Sequence, residues 1–222
     1  MDMKRIALLS TGLGVIPSIS KTVKELSPET EIVNVVEDGI IKAIAANGNV
    51  VSPQVYQRLL HLALAAELTG AEAILVTCSS ISEFVDYARP YLSIPIYKID
   101  EPMIRKALSA GKNIGVVATV ETTLAPTLRQ IQSLARSMQK EINISHRLVA
   151  PAFEAFQRGE TDLHDKLVSS SIIELCDQCD VVLLAQASML SVVSKLEKHY
   201  QEKILSSPFL GVKHVLECHQ AK

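Results

Sequence analysis

The sequence predicts an α/β fold: two pseudo-symmetric, three-layer αβα halves, each built on a parallel sheet, with a cleft between them. Three observations carry that expectation. Short aliphatic runs alternate with longer segments of helical spacing. The core must be aliphatic, because aromatic residues make up only 4% of the 222 residues and tryptophan is absent. The second half of the chain also repeats the first at a fixed offset. Parallel strands buried on both faces read as continuous aliphatic runs, and their alternation with helices points to βα units.

The strand-like runs are 6–9, 32–36, 73–77, 94–97, 114–118, 144–149 and 181–185. The first follows Lys4 and Arg5 and has the outline of a signal peptide. Its apolar stretch is too short and no small-residue cleavage site follows, so it reads as a first strand. Helical spacing fills the intervals at 53–69 and 122–138. Residues 4–11 resemble 112–119, an offset of 108. The same offset carries 74–78 onto 182–186, and the helix at 52–69 onto about 160–177. Three elements sharing one offset favour a duplicated architecture. The tail at 208–218 reads as a helix able to pack back on the first half. The expected domains are therefore discontinuous: 1–98 with 207–222, and 99–206.

Composition narrows the function. The chain is 48% hydrophobic and 21% charged, with a net charge of −2. Its length supports a substantial core without disulfides or metals. Lysines and arginines are scattered among acids rather than gathered in a stripe, so no nucleic-acid surface is expected. No apolar run approaches the roughly 20 residues of a membrane span. Four cysteines without a secretory signal suggest reduced thiols and a cytoplasmic location.

Open α/β sheets bind ligands beyond the carboxyl ends of their strands. That rule brings Thr11, Cys78, Thr119 and Gln186 forward, each following an aliphatic strand. Cys78 precedes Ser79 and Ser80, and Ser80-Ile81-Ser82-Glu83 has the spacing of a capping box. A cysteine at such a helix start meets free amides and partial positive charge, which favour a thiolate. The same amides and the two serine hydroxyls suit a substrate carboxylate. A small buried apolar residue at a strand end is the equally weighted alternative for Cys78. For Gln186 the alternative is a polar side chain satisfying a loop backbone, and for the threonines it is hydroxyls capping the helices that follow. Gly12 leaves room for close backbone approach or makes a turn.

The phrase Gly70-Ala71-Glu72-Ala73-Ile74-Leu75-Val76-Thr77-Cys78-Ser79-Ser80 resembles the first cysteine motif of the aspartate/glutamate/hydantoin racemases. Ile114-Gly115-Val116-Val117-Ala118-Thr119, with Thr122 just beyond, is similar to the strand and threonine loop opening that family's second half. Cys179-Asp180-Val181-Val182-Leu183-Leu184-Ala185-Gln186-Ala187-Ser188-Met189 resembles its second cysteine motif, and Ser207-Pro208 leads into a similar last helix.

The resemblance covers nearly the whole chain. It implies two Rossmann-like domains with an interdomain active-site cleft, no cofactor and no metal, a small carboxylate-bearing substrate and a homo-oligomer. It also implies an acid/base thiol at Cys78. Thr11, Gly12, Ser79, Ser80, Thr119, Thr122, Ala187 and Ser188 become substrate-binding residues. Inverting a stereocentre needs one group to remove a proton and another to return it from the far side. The expected second cysteine is Gln186, whose amide donates and accepts hydrogen bonds but transfers no proton near neutral pH. Three outcomes follow. One is a single-cysteine decarboxylase or isomerase with Gln186 bonding an enediolate. Another is racemisation with water or a hydroxyl as second carrier. The last is a non-catalytic protein that binds small carboxylates.

Other signals weigh less. Cys176-Asp177-Gln178-Cys179 is a CxxC, but it closes a helix instead of opening one, and no second pair accompanies it. His214 and Cys218 stand one helical turn apart with His219 adjacent, and a solvated terminal helix explains them as well as a metal does. His61, His146, His164 and His199 are expected at the surface or at helix ends. Thr11-Gly12-Leu13-Gly14-Val15-Ile16-Pro17 places proline where a dinucleotide loop needs glycine.

Overall fold

The computed structural model of the chain describes residues 3–221. It forms two compact units, Met1–Asp100 with Pro208–Lys222, and Glu101–Ser207. In the first, strands β1 (Arg5–Ser10), β2 (Glu31–Val36), β3 (Ala73–Val76) and β4 (Ile96–Lys98) make a parallel sheet in the order β2-β1-β3-β4. In the second, β5 (Asn113–Ala118), β6 (Asn143–Leu148), β7 (Val181–Leu184) and β8 (Ile204–Ser206) make another in the order β6-β5-β7-β8.

The helices are α1 (Ile16–Leu26), α2 (Gly39–Ala46), α3 (Pro53–Leu68), α4 (Ser82–Ala88), α5 (Glu101–Ala110) and α6 (Glu121–Ser137). They continue as α7 (Ala150–Gln157), α8 (Thr161–Gln178), α9 (Leu190–Val193), α10 (Lys198–Gln201) and α11 (Ser207–Gln220). None of the described helices is long and apolar enough to cross a membrane.

The alternation of side chains along β1 and β3 explains the three layers of the first unit. Ala7, Leu9, Ile74 and Val76 point to one face, where α2, α3 and α4 contribute Ile40, Leu59 and Phe84. Ile6, Leu8, Ala73 and Leu75 point to the other, where they meet Ile19 and Val23 of α1 and Val212 and Val215 of α11. In the second unit Val117, Val182 and Leu184 pack against α7, α8 and α9. Helices α5 and α6 lie against β7 and β5.

The repeat is exact in register for three strands. Ile6 pairs with Ala73 and Ile114 with Val181; Ile74 pairs with Ile96 and Val182 with Ile204. Each second-unit residue lies 108 positions after its counterpart. The start of α3 at Pro53 and that of α8 at Thr161 keep the same spacing. Strand β6 breaks it: Ile6 faces Ile32 but Ile114 faces Ile144, four positions further on. The connecting helix accounts for the change, since α6 has 17 residues where α1 has 11.

A matching acid closes the amino end of each sheet. Glu72 accepts a hydrogen bond from the Lys4 amide (2.7 Å), and Asp180 accepts from Lys112 (2.9 Å) and Asn113 (2.8 Å). The Asn113 and Lys112 amides hold the Asp180 carboxyl below its usual range.

Two expectations need correction in detail. Strand β8 was not among the aliphatic runs, because it is three half-buried residues with only Ile204 and Leu205 apolar. Strand β4 starts at Ile96 rather than Ile94, since Pro95 offers no amide and contributes only its carbonyl, to Ile74 (2.9 Å).

Helix α11 follows β8 in the chain yet belongs to the first unit, while α5 follows β4 and belongs to the second. The two helices are counterparts under the same offset. Helix α11 fits because Gly211 approaches Ile99 closely: a Cβ there would lie 2.5 Å from the Ile99 carbonyl oxygen. Backbone cannot yield as a flexible side chain does. Gly211→Ala is therefore expected to destabilise the protein by roughly 1–3 kcal/mol, read from urea unfolding. An unchanged midpoint would show that the helix shifts freely.

Candidate functional site

The two units carry corresponding loops at the carboxyl ends of their central strands. In the first, pairing continues one residue past β3, with the Thr77 amide donating to the Leu9 carbonyl (3.0 Å). Cys78 follows in extended conformation (φ −122°, ψ 118°) at the head of a 3-10 turn, Ser79–Ile81. The Ile81 amide closes that turn on the Cys78 carbonyl (3.2 Å). In-register pairing of β1 with β3 sets Thr11 beside Cys78. Thr11, Ser79 and Ser80 are buried and Cys78 is half-buried. Beneath them the Ser10 and Thr77 hydroxyls hydrogen-bond each other (2.8 Å), and Thr77 also donates to Leu9 (3.3 Å). Sequence reasoning missed this buried pair; its signal was a hydroxyl residue closing each of two adjacent aliphatic strands.

The second unit repeats the backbone and changes the chemistry. The Ala185 amide donates to Val117 (3.0 Å), and Gln186 takes the place of Cys78 in extended conformation (φ −139°, ψ 139°). A second 3-10 turn, Ala187–Met189, follows. Alanines 118 and 185 replace the hydroxyl pair. The Gln186 side-chain oxygen accepts two hydrogen bonds from Thr119, one from its amide (2.6 Å) and one from its hydroxyl (3.0 Å). Thr119 is buried, Ala187 half-buried and Ser188 exposed, and Thr122 sits half-buried in the first turn of α6. Thr11, Cys78, Ser79 and Ser80 are thus neighbours in one unit, and Thr119, Gln186, Ala187 and Ser188 in the other. Gly12 adopts ordinary extended backbone (φ −171°), open to any residue, with free space around its Cα.

The segment that spells the capping box forms a 3-10 turn running into α4. The 3-10 turn moves the cap positions to Cys78 and Ile81, and neither makes a side-chain cap hydrogen bond. The Ser82 hydroxyl is directed instead to the buried Asp100 carboxylate (2.9 and 3.0 Å).

His164 stands in the first turn of α8, at a helix end as expected, but is buried rather than at the surface (2% exposed). Its Nδ1 lies 2.8 Å from the Asp165 carboxylate, which accepts a second bond from Lys195 (2.6 Å). Lys195, and to a lesser degree His164, hold the Asp165 carboxyl below its usual range. The tilted Phe156 ring, 5.5 Å away, and the hydrogen bond to Asp165 make burial tolerable.

The CxxC cysteines are buried at the end of α8, with the Lys203 ammonium donating to the carbonyls of both (2.6 and 3.2 Å). Burial pushes the Cys176 thiol up to about 11 and raises Cys179 too. A thiol with a pKa of about 11 is almost wholly protonated at pH 8 and unreactive. Native labelling with iodoacetamide at pH 8 should therefore modify the half-buried Cys78 and Cys218 first. Mass spectrometry finding Cys176 or Cys179 labelled as fast would contradict this. Cys218 lies 3.6 and 3.8 Å from the His214 ring nitrogens, and no group of three or more metal-ligand side chains occurs among the described residues.

A family model described as Asp/Glu/Hydantoin racemase matches residues 7–215. No curated protein matches the sequence. Among solved structures, an aspartate racemase from Picrophilus torridus is similar over 98% of this chain and 94% of its own, with 11% identity and a TM-score of 0.72. A glutamate racemase from Francisella tularensis in complex with D-glutamate matches over 100% and 82%, with 14% identity and a TM-score of 0.72. An allantoin racemase from Klebsiella pneumoniae matches over 98% and 88%, with 17% identity and a TM-score of 0.69. At these identities the likeness establishes the fold.

Proposed function

Because the chain belongs to the Asp/Glu/Hydantoin racemase family, we propose that it moves a proton at the carbon next to a carboxylate or carbonyl of a small acid. Cys78 is the acid/base thiol, and neither cofactor nor metal takes part. The observation that carries this reading is the correspondence of two loops. Cys78 and Gln186 occupy the same position at the carboxyl ends of the central strands of the two units, one a thiol and the other a carboxamide. The structural neighbours named above are racemases of small amino acids or allantoin, which supports a small acid as substrate.

The Cys78 thiolate takes the α-proton: the C–H bond breaks, an S–H bond forms, and the electron pair moves onto the carboxyl group as an enediolate. Donors aimed at the developing oxyanion stabilise it. Gln186 supplies N–H groups on its side. Ser79 and Ser80, with Thr11 and Gly12, hold the carboxylate near Cys78, and Thr122, Ala187 and Ser188 are the binding residues of the second unit. Gln186 transfers no proton, so the proton returns to the face it left.

The same geometry favours a second reading, single-cysteine decarboxylation or isomerisation. There the enediolate arises by loss of carbon dioxide or bond migration, and Cys78 then protonates one face. Four unpaired thiols support a reducing, cytoplasmic setting.

Solvent-deuterium uptake tests the proposal. Incubated in D2O, a prochiral acid substrate should gain deuterium at one of its two α-positions, and a chiral acid should exchange without inversion, both visible by proton NMR. Uptake by none of a panel of small mono- and dicarboxylic acids would leave a non-catalytic binder.

A further inference from the structure

We propose that Thr119 is a positioning residue that turns Gln186 into a donor-only subsite. The acid bound there presents a carbonyl or carboxylate oxygen, not an ammonium group. The inference rests on the reading above, that these two residues face the substrate.

A carboxamide oxygen has two acceptor sites. Both are filled here, by the Thr119 amide at 2.6 Å and the Thr119 hydroxyl at 3.0 Å. A backbone N–H can only donate, so the oxygen must be the atom facing Thr119, and the NH2 group turns away from it. The arrangement is also hard to undo. Thr119 is 3% exposed, and a buried amide left without its acceptor would lose a full hydrogen bond.

The surroundings favour the same pairing. In the first unit the hydroxyls of Ser10 and Thr77 occupy the space beneath the loop, whereas Ala118 and Ala185 stand at those positions in the second. No competing hydroxyl there draws Thr119 away. What Gln186 offers a ligand is therefore two N–H donors and no acceptor. An ammonium group, itself only a donor, gains nothing from such a partner, while a carboxylate or enediolate oxygen gains a hydrogen bond. The group seated against Gln186 is then an oxygen function, and an acid that would place an ammonium there is disfavoured.

Calorimetric binding to the Cys78→Ala protein, in which turnover is blocked, tests the selectivity separately from the chemistry. Matched pairs serve as probes: 2-oxoglutarate and 2-hydroxyglutarate against both enantiomers of glutamate, and malate against both enantiomers of aspartate. The oxygen-bearing acids should bind about tenfold more tightly than the amino acids, the worth of one hydrogen bond. Thr119→Val, which removes the hydroxyl and frees one acceptor site on the carboxamide oxygen while the amide still holds the other, should lower that ratio with little change in melting temperature. Thr119→Ser should restore it. Gln186→Glu, which replaces the donors by a carboxylate, should reverse the preference, and carries the test if the valine variant does not fold.

Amino acids binding as tightly as their partners, or a ratio left unchanged by both Thr119→Val and Gln186→Glu, would overturn the inference while leaving proton transfer by Cys78 intact. The expected ratio without deuterium uptake by wild type would leave the subsite standing and remove the catalytic reading. Failure of every probe to bind overturns both.

Discussion

Replacing Cys78 with serine is expected to abolish solvent-deuterium uptake while leaving the protein folded. The substitution exchanges one atom in a half-buried side chain packed at the margin of the first unit's core. The turn that follows depends on the Cys78 carbonyl and not on its side chain, since the Ile81 amide closes on that oxygen. A near-isosteric change at such a place costs under about 1.5 kcal/mol. The chemistry has no such tolerance. A hydroxyl is a far weaker acid than a thiol, and removing a matched acid/base group lowers rates by about 10³-fold. Exchange rates by proton NMR and thermal melting on the same sample separate the two effects. Uptake surviving within about tenfold of wild type would place the acid/base group elsewhere.

Much of this architecture is legible in the sequence because the strongest physical demand falls on its most repetitive parts. Strands β1, β3, β5 and β7 lie at the centre of their sheets and are almost wholly buried, so they must be uninterrupted aliphatic runs. The offset of 108 survives in those strands because their pairing fixes register. Strands β2 and β6 lie at the sheet edges, with mixed burial, and a longer α6 displaces β6 without disturbing what pairs at the centre. Strand β8, short and half-buried, had too little hydrophobic pattern to stand out.

The site was legible in outline and not in its hydrogen bonds. Position in the repeat singled out Thr11, Cys78, Thr119 and Gln186, since strand ends can be counted. Which partner each polar atom takes depends on distances of a few tenths of an ångström between segments some 67 residues apart, and nothing in the local sequence records them. Thr119 was therefore expected to bind substrate directly, yet both its donors reach Gln186. His164 illustrates the same limit. A lone histidine on a helix gives no sign that an aspartate beside it and a lysine 31 positions later will make its burial affordable.

The counterpart prediction restores symmetry. Gln186→Cys should create measurable racemisation where the wild type is expected to exchange without inverting. The substitution places a thiol at the position matching Cys78 and frees the Thr119 amide and hydroxyl from the carboxamide. Two donors beside a sulfur favour its thiolate, as backbone amides do for other reactive cysteines. One thiol then removes the proton and the other returns it from the opposite face, as inversion requires. The buried Thr119 amide must accept sulfur in place of a carboxamide oxygen, at a cost of about 1–3 kcal/mol if that bond is poor. The melting temperature should fall while activity appears. Chiral chromatography of the recovered acid gives the result, with interconversion at least about tenfold above wild type expected. A variant that folds, binds the acid and still exchanges its proton, yet inverts nothing, would mean that the two loops do not serve opposite faces of one substrate. The duplication would then account for the fold and not for the chemistry.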